Sequence, residues 1–121
     1  EVYDYRNIEV TIDEQDIFNV TMNESLAVAL LTNLLKNAFV HNIDGGHIRI
    51  TVTKNSITFR NSGVENPLDK EHIFERFYQG TKKEGSTGLG LAIADSICRL
   101  QHLSIRYYFE QEEHCFEIFR Q

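Results

Sequence analysis

The sequence has few of the residues that mark specialised structural classes. Its 121 residues include two cysteines, one proline and no tryptophan, and they show no internal repeat or low-complexity tract. Cys98 and Cys115 lie in otherwise apolar patterns. This placement indicates two buried, reduced thiols and argues against a disulfide framework or a metal site. The composition therefore points away from disulfide-stapled scaffolds and repeat arrays.

Long apolar runs and excess positive charge are also missing. No uninterrupted apolar run approaches the roughly 18–20 residues that a membrane span needs, and there is no signal-peptide pattern. The net charge of −6 disfavours general binding to nucleic acid or anionic membranes. The length suits one globular domain with its own core. Since the chain begins at Glu1 without an initiator methionine, we expect residues 1–121 to be one domain of a larger protein.

Hydrophobic periodicity predicts two long helices among short strands. The first helix should begin after a capping box formed by Thr21 and Glu24 and run to about Asn42. The second should begin at the glycine-rich turn that ends at Gly90. Alternating patterns predict an N-terminal antiparallel strand pair, then two further hairpins, at 7–12, 17–21, 47–53, 57–61, 103–109 and 114–119. The order indicates an α+β sandwich with both helices on one face of a mixed sheet.

Polar residues interrupt the apolar faces at two places. Asn33 and Asn37 lie four residues apart on the first helix, at the edge of its apolar arc. An asparagine offers a carbonyl oxygen to a hard cation and an amide donor to a phosphate. By period two, Asn61 lies on the same strand face as Ile57 and Phe59, so it is either a satisfied core amide or a recognition group. Each feature alone is also typical of an ordinary boundary or core polar residue.

The glycine-rich segments are the remaining signals. Gly63 follows the strand that carries Asn61 and lets another group approach the backbone. The turn at 88–90 leads into a helix N-terminus, where free N–H groups and the helix dipole favour an anion. Between these segments the apolar pattern loosens over 64–86, which indicates either a mobile lid or a solvated loop.

Four segments in order resemble the motifs of a known family. They are Asn33–Ala38, Asn61–Gly63, Ile73–Tyr78 and Ser86–Ile93. They are similar to the N box, first glycine box, F box and second glycine box of the catalytic ATP-binding domain of bacterial sensor histidine kinases. That domain belongs to the superfamily that includes gyrase, heat-shock chaperones and MutL. The resemblance implies a Bergerat-type two-layer fold with a mostly antiparallel sheet, and ATP and Mg²⁺ as cofactors.

The resemblance also implies roles for residues at the phosphate end. Asn37 matches the asparagine that binds magnesium, and Asn33 lies near the phosphates. The second glycine box would wrap the phosphates through backbone amides of Thr87, Gly88, Leu89 and Gly90. Lid cations would neutralise charge during transfer, namely Arg76, Lys82 and Lys83. Of these groups we expect Asn37, Arg76 and Lys83 to act in catalysis.

At the base end, the resemblance implies that His41 lies against adenine and that Gly63 leaves room for it. Asn61 stands where the family commonly has an aspartate that accepts a hydrogen bond from the exocyclic amine. Asn61 keeps the acceptor but loses the charge. Val40 and Gln79 stand where cations are common, which affects nucleotide affinity more than the fold.

A glutamate that activates water in the gyrase and chaperone branch is replaced here by Asn33, which cannot act as a general base. The resemblance therefore implies transfer of the γ-phosphate to a histidine on an upstream dimerisation domain, and then to a response regulator. None of the five histidines of this chain has the surroundings of such an acceptor. The longer protein would be a homodimer anchored in the inner membrane, with this domain in the cytoplasm and no nucleic-acid partner. Two alternatives stay open, a degenerate binding module and a serine kinase of the same fold.

Overall fold

The computed structural model describes residues 7–63, 71–75 and 89–121. These residues form two helices and five strands. In chain order they are β1 (Glu9–Glu14), α1 (Glu24–Val40), β2 (His47–Val52), β3 (Ser56–Asn61), α2 (Gly90–Leu100), β4 (Leu103–Glu110) and β5 (Glu113–Arg120). Most of the predicted lid lies outside the described residues. No helix in the described ranges is long and apolar enough to cross a membrane.

The five strands form one mixed sheet in the order β1-β2-β3-β5-β4. Only β1 and β2 pair in parallel, and the other three pairs are antiparallel. Both helices contribute buried residues to a core that also contains Phe59, Phe116 and Ile118. On α1 the buried positions recur every four residues, at Leu30, Leu34 and Ala38. The predicted α+β sandwich is therefore confirmed.

The N-terminal hairpin predicted from 7–12 and 17–21 is wrong. β1 pairs in parallel with β2, and the 17–21 segment forms no strand in the described structure. Side-chain contacts hold this segment instead: Phe18 packs against the core, and Arg120 Nη2 donates to the Asn19 carbonyl at 2.5 Å. Alternation thus identified β1 as a strand but did not identify its pairing partner.

The predicted capping box at Thr21 is also wrong. Asn23 is the N-cap, and its side-chain oxygen accepts from the Leu26 amide at 3.1 Å. Asparagine caps at least as well as threonine. Glu24 then falls in the first turn, where its charge is favourable to the helix dipole. The helix ends at Val40, two residues before the predicted end.

Both cysteines are free and buried, as predicted. Burial, followed by the nearby Asp95 charge, raises the pKa of the Cys98 thiol to about 11. Burial is also the largest influence on Cys115, and its pKa is raised as well. Both thiols therefore remain protonated at neutral pH and serve as small apolar core groups.

A buried polar junction fixes the loop between α1 and β2. Asn42 is fully buried, and its amide donates to the carbonyls of Ala38 and His47 at 3.1 and 3.0 Å. Its oxygen accepts from the Ile43 amide at 2.8 Å and from the Ser62 hydroxyl at 2.6 Å. The Asn42 side chain therefore makes the hydrogen bond to the Ala38 carbonyl that a further helical turn would make. It also links the end of α1 to Ser62, the residue directly after β3.

The junction leaves no room for a side chain at Gly46. A Cβ there would collide with Asn42 Oδ1 and Ser62 Oγ and would lie 2.9 Å from the Ile43 carbonyl oxygen. The adjacent Gly45 has open space around its Cβ position but adopts a φ of +76°. The two glycines are thus required for different reasons, crowding at Gly46 and backbone conformation at Gly45.

We predict that Gly46→Ala lowers the free energy of unfolding by about 2–3 kcal/mol, because the buried junction must open to admit the methyl group. The matched change Gly45→Ala should cost only about 1 kcal/mol, the typical cost of a left-handed non-glycine residue. Urea unfolding of the two variants measures the difference. Equal losses would show that the junction is not rigid.

Candidate functional site

Asn33 on α1 lies against the first residue of α2. Its amide donates to the Ala29 carbonyl at 2.8 Å, one turn back on the same helix. Its side-chain oxygen lies 3.2 Å from the position that a Cβ on Gly90 would occupy. The absence of a side chain at Gly90 thus permits close approach of the two helices. Asn33 of the predicted N box and Gly90 of the second predicted glycine box therefore meet in space.

The N-terminus of α2 is suited to a negatively charged group. Leu89 occupies the N-cap position without a side-chain cap hydrogen bond. The first turn of α2 contains no acidic residue. The first-turn amides and the helix dipole favour an anion there. An anion would therefore be favourable at the start of α2, beside Leu89 and Gly90.

Asn37 lies one turn beyond Asn33 on the same side of α1, and both side chains are half-buried. The described residues contain no group of three or more His, Cys, Asp or Glu side chains arranged to hold a metal. Magnesium is commonly held by few protein oxygens, with water and phosphate completing the octahedron. A single carboxamide oxygen such as that of Asn37 fits that mode of binding.

Asn61 has a buried acceptor without a protein partner. The side chain is 2% exposed at the last position of β3, on the core side, as predicted. Its amide nitrogen donates to the Ser62 carbonyl at 2.8 Å, which sets the orientation of the carboxamide. Its oxygen has no hydrogen-bond partner in the described part of the chain. Since an unpaired buried acceptor costs free energy, this atom marks a position where a ligand donor would be favourable.

Gly63 lies between the end of α1 and β5. A Cβ there would come within 2.9 Å of the His41 carbonyl oxygen and 3.2 Å of His114 Cδ2. His41 itself is the C-cap of α1, and its backbone N–H donates to the Asn37 carbonyl at 3.1 Å. The structure thus brings His41, Gly63 and Asn61 together at one end of α1.

Helix α1 connects the two halves of the predicted site. Asn33 lies against Gly90 at the start of α2, and Asn37 lies one turn further along α1, whereas the His41 carbonyl lies beside Gly63. The eight residues from Asn33 to His41 rise about 12 Å along a helix. Five predicted site residues lie outside the described residues and stay predictions, namely Arg76, Lys82, Lys83, Thr87 and Gly88.

The sequence reasoning missed His114, which the structure places under Gly63. It is 4% exposed, and β5 pairs it with Asn61 in register. The preceding residue, Glu113, faces the opposite side of the sheet between His47 and Arg49, at 2.7 and 2.8 Å. Burial would raise the pKa of Glu113, but hydrogen bonds and charge from Arg49 and His47 outweigh it, so that its pKa is lowered. The sequence did contain an indication that His114 is buried, because alternation in β5 puts it on the same face as Phe116.

A separate cavity of about 480 Å³ lies on the other side of α2. Residues of α2, β4 and the 71–75 segment line it, and none of the predicted site residues within the described ranges is among them. Its charged lining groups have both signs: acidic Glu71, Glu75 and Asp95, and basic Arg99 and Arg106. Two of these cations already pair with carboxylates, Arg99 with Asp95 and Arg106 with Glu117. This cavity therefore offers no concentrated charge for a phosphate.

Comparison with known families identifies the family of the chain. The family model described as "Histidine kinase-, DNA gyrase B-, and HSP90-like ATPase" matches residues 22–119. The chain belongs to this family. The match includes both helices and the four strands β2 to β5. Since the family consists of ATPases, nucleotide use follows at the family level.

Curated relatives are sensor kinases much longer than this chain. The heme sensor protein HssS of Staphylococcus aureus is 36% identical over 109 residues, which cover 86% of this chain and 24% of HssS. The sensor histidine kinase RppB of Synechocystis is 43% identical over 84 residues, which cover 62% of this chain and 18% of RppB. The chain thus spans about a fifth to a quarter of the length of these relatives.

Solved structures of histidine kinases share the fold. The catalytic domain of histidine kinase ThkA matches with a TM-score of 0.80 and 25% identity, covering 97% of this chain and 80% of that one. A structure of ThkA in complex with the response regulator protein TrrA matches with a TM-score of 0.73 and 24% identity, covering 99% and 36%. The fold and family of this chain are therefore those of a histidine kinase catalytic domain.

We predict that Asn61→Leu changes the free energy of unfolding of the nucleotide-free chain by less than about 1 kcal/mol, or raises it. The substitution keeps the number and branching of the side-chain heavy atoms. It removes the buried unpaired acceptor, and this gain offsets the loss of the 2.8 Å hydrogen bond to the Ser62 carbonyl. The matched variant Asn42→Leu should cost about 3 kcal/mol, because it removes four satisfied hydrogen bonds. Thermal and urea unfolding without nucleotide test the pair. A large loss in Asn61→Leu would mean that Asn61 is an ordinary structural amide.

Proposed function

We propose that this chain binds Mg²⁺-ATP along α1 and supplies the γ-phosphate for phosphorylation of a histidine elsewhere in a longer sensor kinase. The observation that carries the proposal is the unpaired oxygen of the buried Asn61, which lies beyond the C-terminal end of α1, while Asn33 contacts Gly90 near the middle of the helix. Membership of the ATPase family supports nucleotide as the ligand.

The arrangement of the described groups favours one orientation of the nucleotide. The base fits beside Asn61 and Gly63, where an acceptor is buried and a side chain is missing. His41, which ends α1 beside Gly63, contributes to the same base pocket. The phosphates then lie toward Leu89 and Gly90, where the N-terminus of α2 favours negative charge.

Asn37 is the proposed protein ligand of magnesium, between the base pocket and the phosphate turn. A bound Mg²⁺ would neutralise phosphate charge. We assign the lid cations Arg76, Lys82 and Lys83 to the terminal phosphates, with Thr87 and Gly88 continuing the backbone cradle. Val40, at the end of α1, supplies no positive charge. The lid cations therefore neutralise a larger share of the phosphate charge.

Transfer to another group is favoured over hydrolysis. Asn33 lies beside the phosphate turn, but a carboxamide does not take up a proton from water at neutral pH. Its amide is already bonded to the Ala29 carbonyl. The pocket therefore holds the nucleotide without activating water at this position, and the acceptor is a histidine on an upstream dimerisation domain.

The remaining partners are proposed by extension from the relatives. Because ThkA has been solved with the response regulator TrrA, we propose that the longer protein passes its phosphate to a response regulator. We further propose a homodimer anchored in the inner membrane, with this single domain, residues 1–121, on the cytoplasmic side. With a net charge of −6, the domain has no nucleic-acid partner in this proposal.

We predict that Asn37→Ala weakens Mg²⁺-ATP binding about tenfold or more and abolishes the difference between titrations with and without magnesium. The loss corresponds to one oxygen ligand, about 1–2 kcal/mol. Calorimetric titration with ATP, ADP and a non-hydrolysable analogue measures it. Asn55→Ala, at an exposed position between β2 and β3, is the matched control and should bind as the parent chain does.

Unaltered magnesium-dependent binding in Asn37→Ala would contradict the metal assignment. Absence of nucleotide binding in the parent chain would favour the degenerate module. In the longer protein, an acid-labile phosphate supports histidine as the acceptor, whereas an acid-stable phosphate on a protein substrate supports the serine kinase alternative.

A further inference from the structure

The orientation of the Asn61 carboxamide determines which purine the proposed base pocket can bind. The two ends of a carboxamide have nearly the same shape, so that a flip exchanges an acceptor for a donor. A purine with a 6-amino group needs an acceptor, and one with a 6-oxo group needs a donor. Asn61 can therefore discriminate between these purines only if its orientation is fixed.

The Ser62 carbonyl fixes the orientation of the Asn61 carboxamide. This oxygen accepts the Asn61 amide at 2.8 Å, which leaves the Asn61 oxygen as the buried acceptor. The discrimination thus depends on the backbone between Asn61 and Gly63 keeping its position. On one side, this backbone is held by the Ser62 hydroxyl, which donates to Asn42 and accepts from the His47 amide.

On the other side, the backbone rests on the imidazole of His114. The nearest edge of this ring, Cδ2 and Nε2, would lie 3.2 and 3.5 Å from a Cβ on Gly63. Gly63 is therefore enclosed between His114 and the His41 carbonyl. Rotation of the imidazole would push directly on the backbone that follows Ser62.

Tyr107 fixes the imidazole. The Tyr107 hydroxyl and His114 Nδ1 are 2.8 Å apart, and both side chains are buried. The two rings are nearly parallel, at 22°. Phe109 packs against the imidazole with a centroid distance of 4.8 Å. The ring is thus held by one buried hydrogen bond and two aromatic neighbours.

We propose that His114, locked by Tyr107, is a positioning residue that makes Asn61 selective for a 6-amino purine. The hydrogen bond between Tyr107 and His114 fixes the imidazole, and the imidazole restricts movement of the backbone at Gly63. The Ser62 carbonyl then stays bonded to the Asn61 amide, so that the Asn61 oxygen is available to accept a hydrogen bond from the base. The proposal rests on the proposed function, because it concerns the base end of the same nucleotide site.

The test compares Tyr107→Phe with the matched variant Tyr108→Phe. Tyr108 lies on the opposite face of the sheet, where Arg106 and Arg60 lie over its ring at 5.8 and 6.0 Å. Affinities for ATP and for inosine triphosphate, which carries a 6-oxo group, are measured with magnesium. In Tyr107→Phe we expect the ATP-to-inosine-triphosphate affinity ratio to fall about threefold to tenfold. Tyr108→Phe should keep the parent ratio.

A general loss of packing would weaken both nucleotides equally and leave the ratio unchanged, and that result would overturn the proposal. The proton-nitrogen NMR spectrum gives an independent readout, because Tyr107→Phe should shift the His114 ring nitrogens and the Asn61 side-chain amide. If Tyr107→Phe does not fold, His114→Asn replaces it, since it keeps an acceptor for Tyr107 but removes the edge that touches Gly63. Parent-chain binding of ATP with no preference over inosine triphosphate contradicts this inference alone, whereas no binding of either contradicts the proposed function.

Discussion

The packing of α1 against both α2 and the sheet is the contact on which both the core and the site depend. Leu30, Leu34 and Ala38 bury one side of the helix. Asn33 lies at the edge of the same buried stripe and meets Gly90 at the start of α2. Because core and site residues alternate along one rigid helix, any shift of α1 that disturbed the core would also displace the proposed metal and phosphate groups. The fold therefore positions the site through a helix that also supplies part of its core.

The two buried asparagines, Asn42 and Asn61, have different roles. Asn42 stabilises the fold, whereas Asn61 keeps an acceptor for the proposed ligand. Asn42 has every polar atom paired and closes the junction between α1, β2 and β3. Asn61 keeps its oxygen unpaired at nearly the same degree of burial. An unpaired buried acceptor opposes folding and a paired one supports it. The junction at Asn42 stabilises the neighbouring backbone on which the unpaired Asn61 depends.

The parts of the fold that were predictable are those set by local periodicity. The two helices, β2 to β5 and the inward position of Asn61 follow from spacing along the chain. Pairing does not follow from spacing, and the predicted N-terminal hairpin is accordingly replaced by a parallel pair of β1 and β2. The role of His114 needs the register between β3 and β5, which no local pattern contains. Thr21 and Asn23 are both good capping residues, so the sequence alone did not distinguish them.

An amide NMR titration of the chain with Mg²⁺-ATP tests most directly whether the nucleotide lies along α1. If it does, the largest shift changes fall on residues around Asn33, Asn37, Asn61, Gly63 and Gly90, two clusters joined by α1. Changes around the separate cavity beside β4, which is lined by Glu75 and Arg106, should be small. Shift changes concentrated at that cavity, with α1 unperturbed, would contradict nucleotide binding along α1.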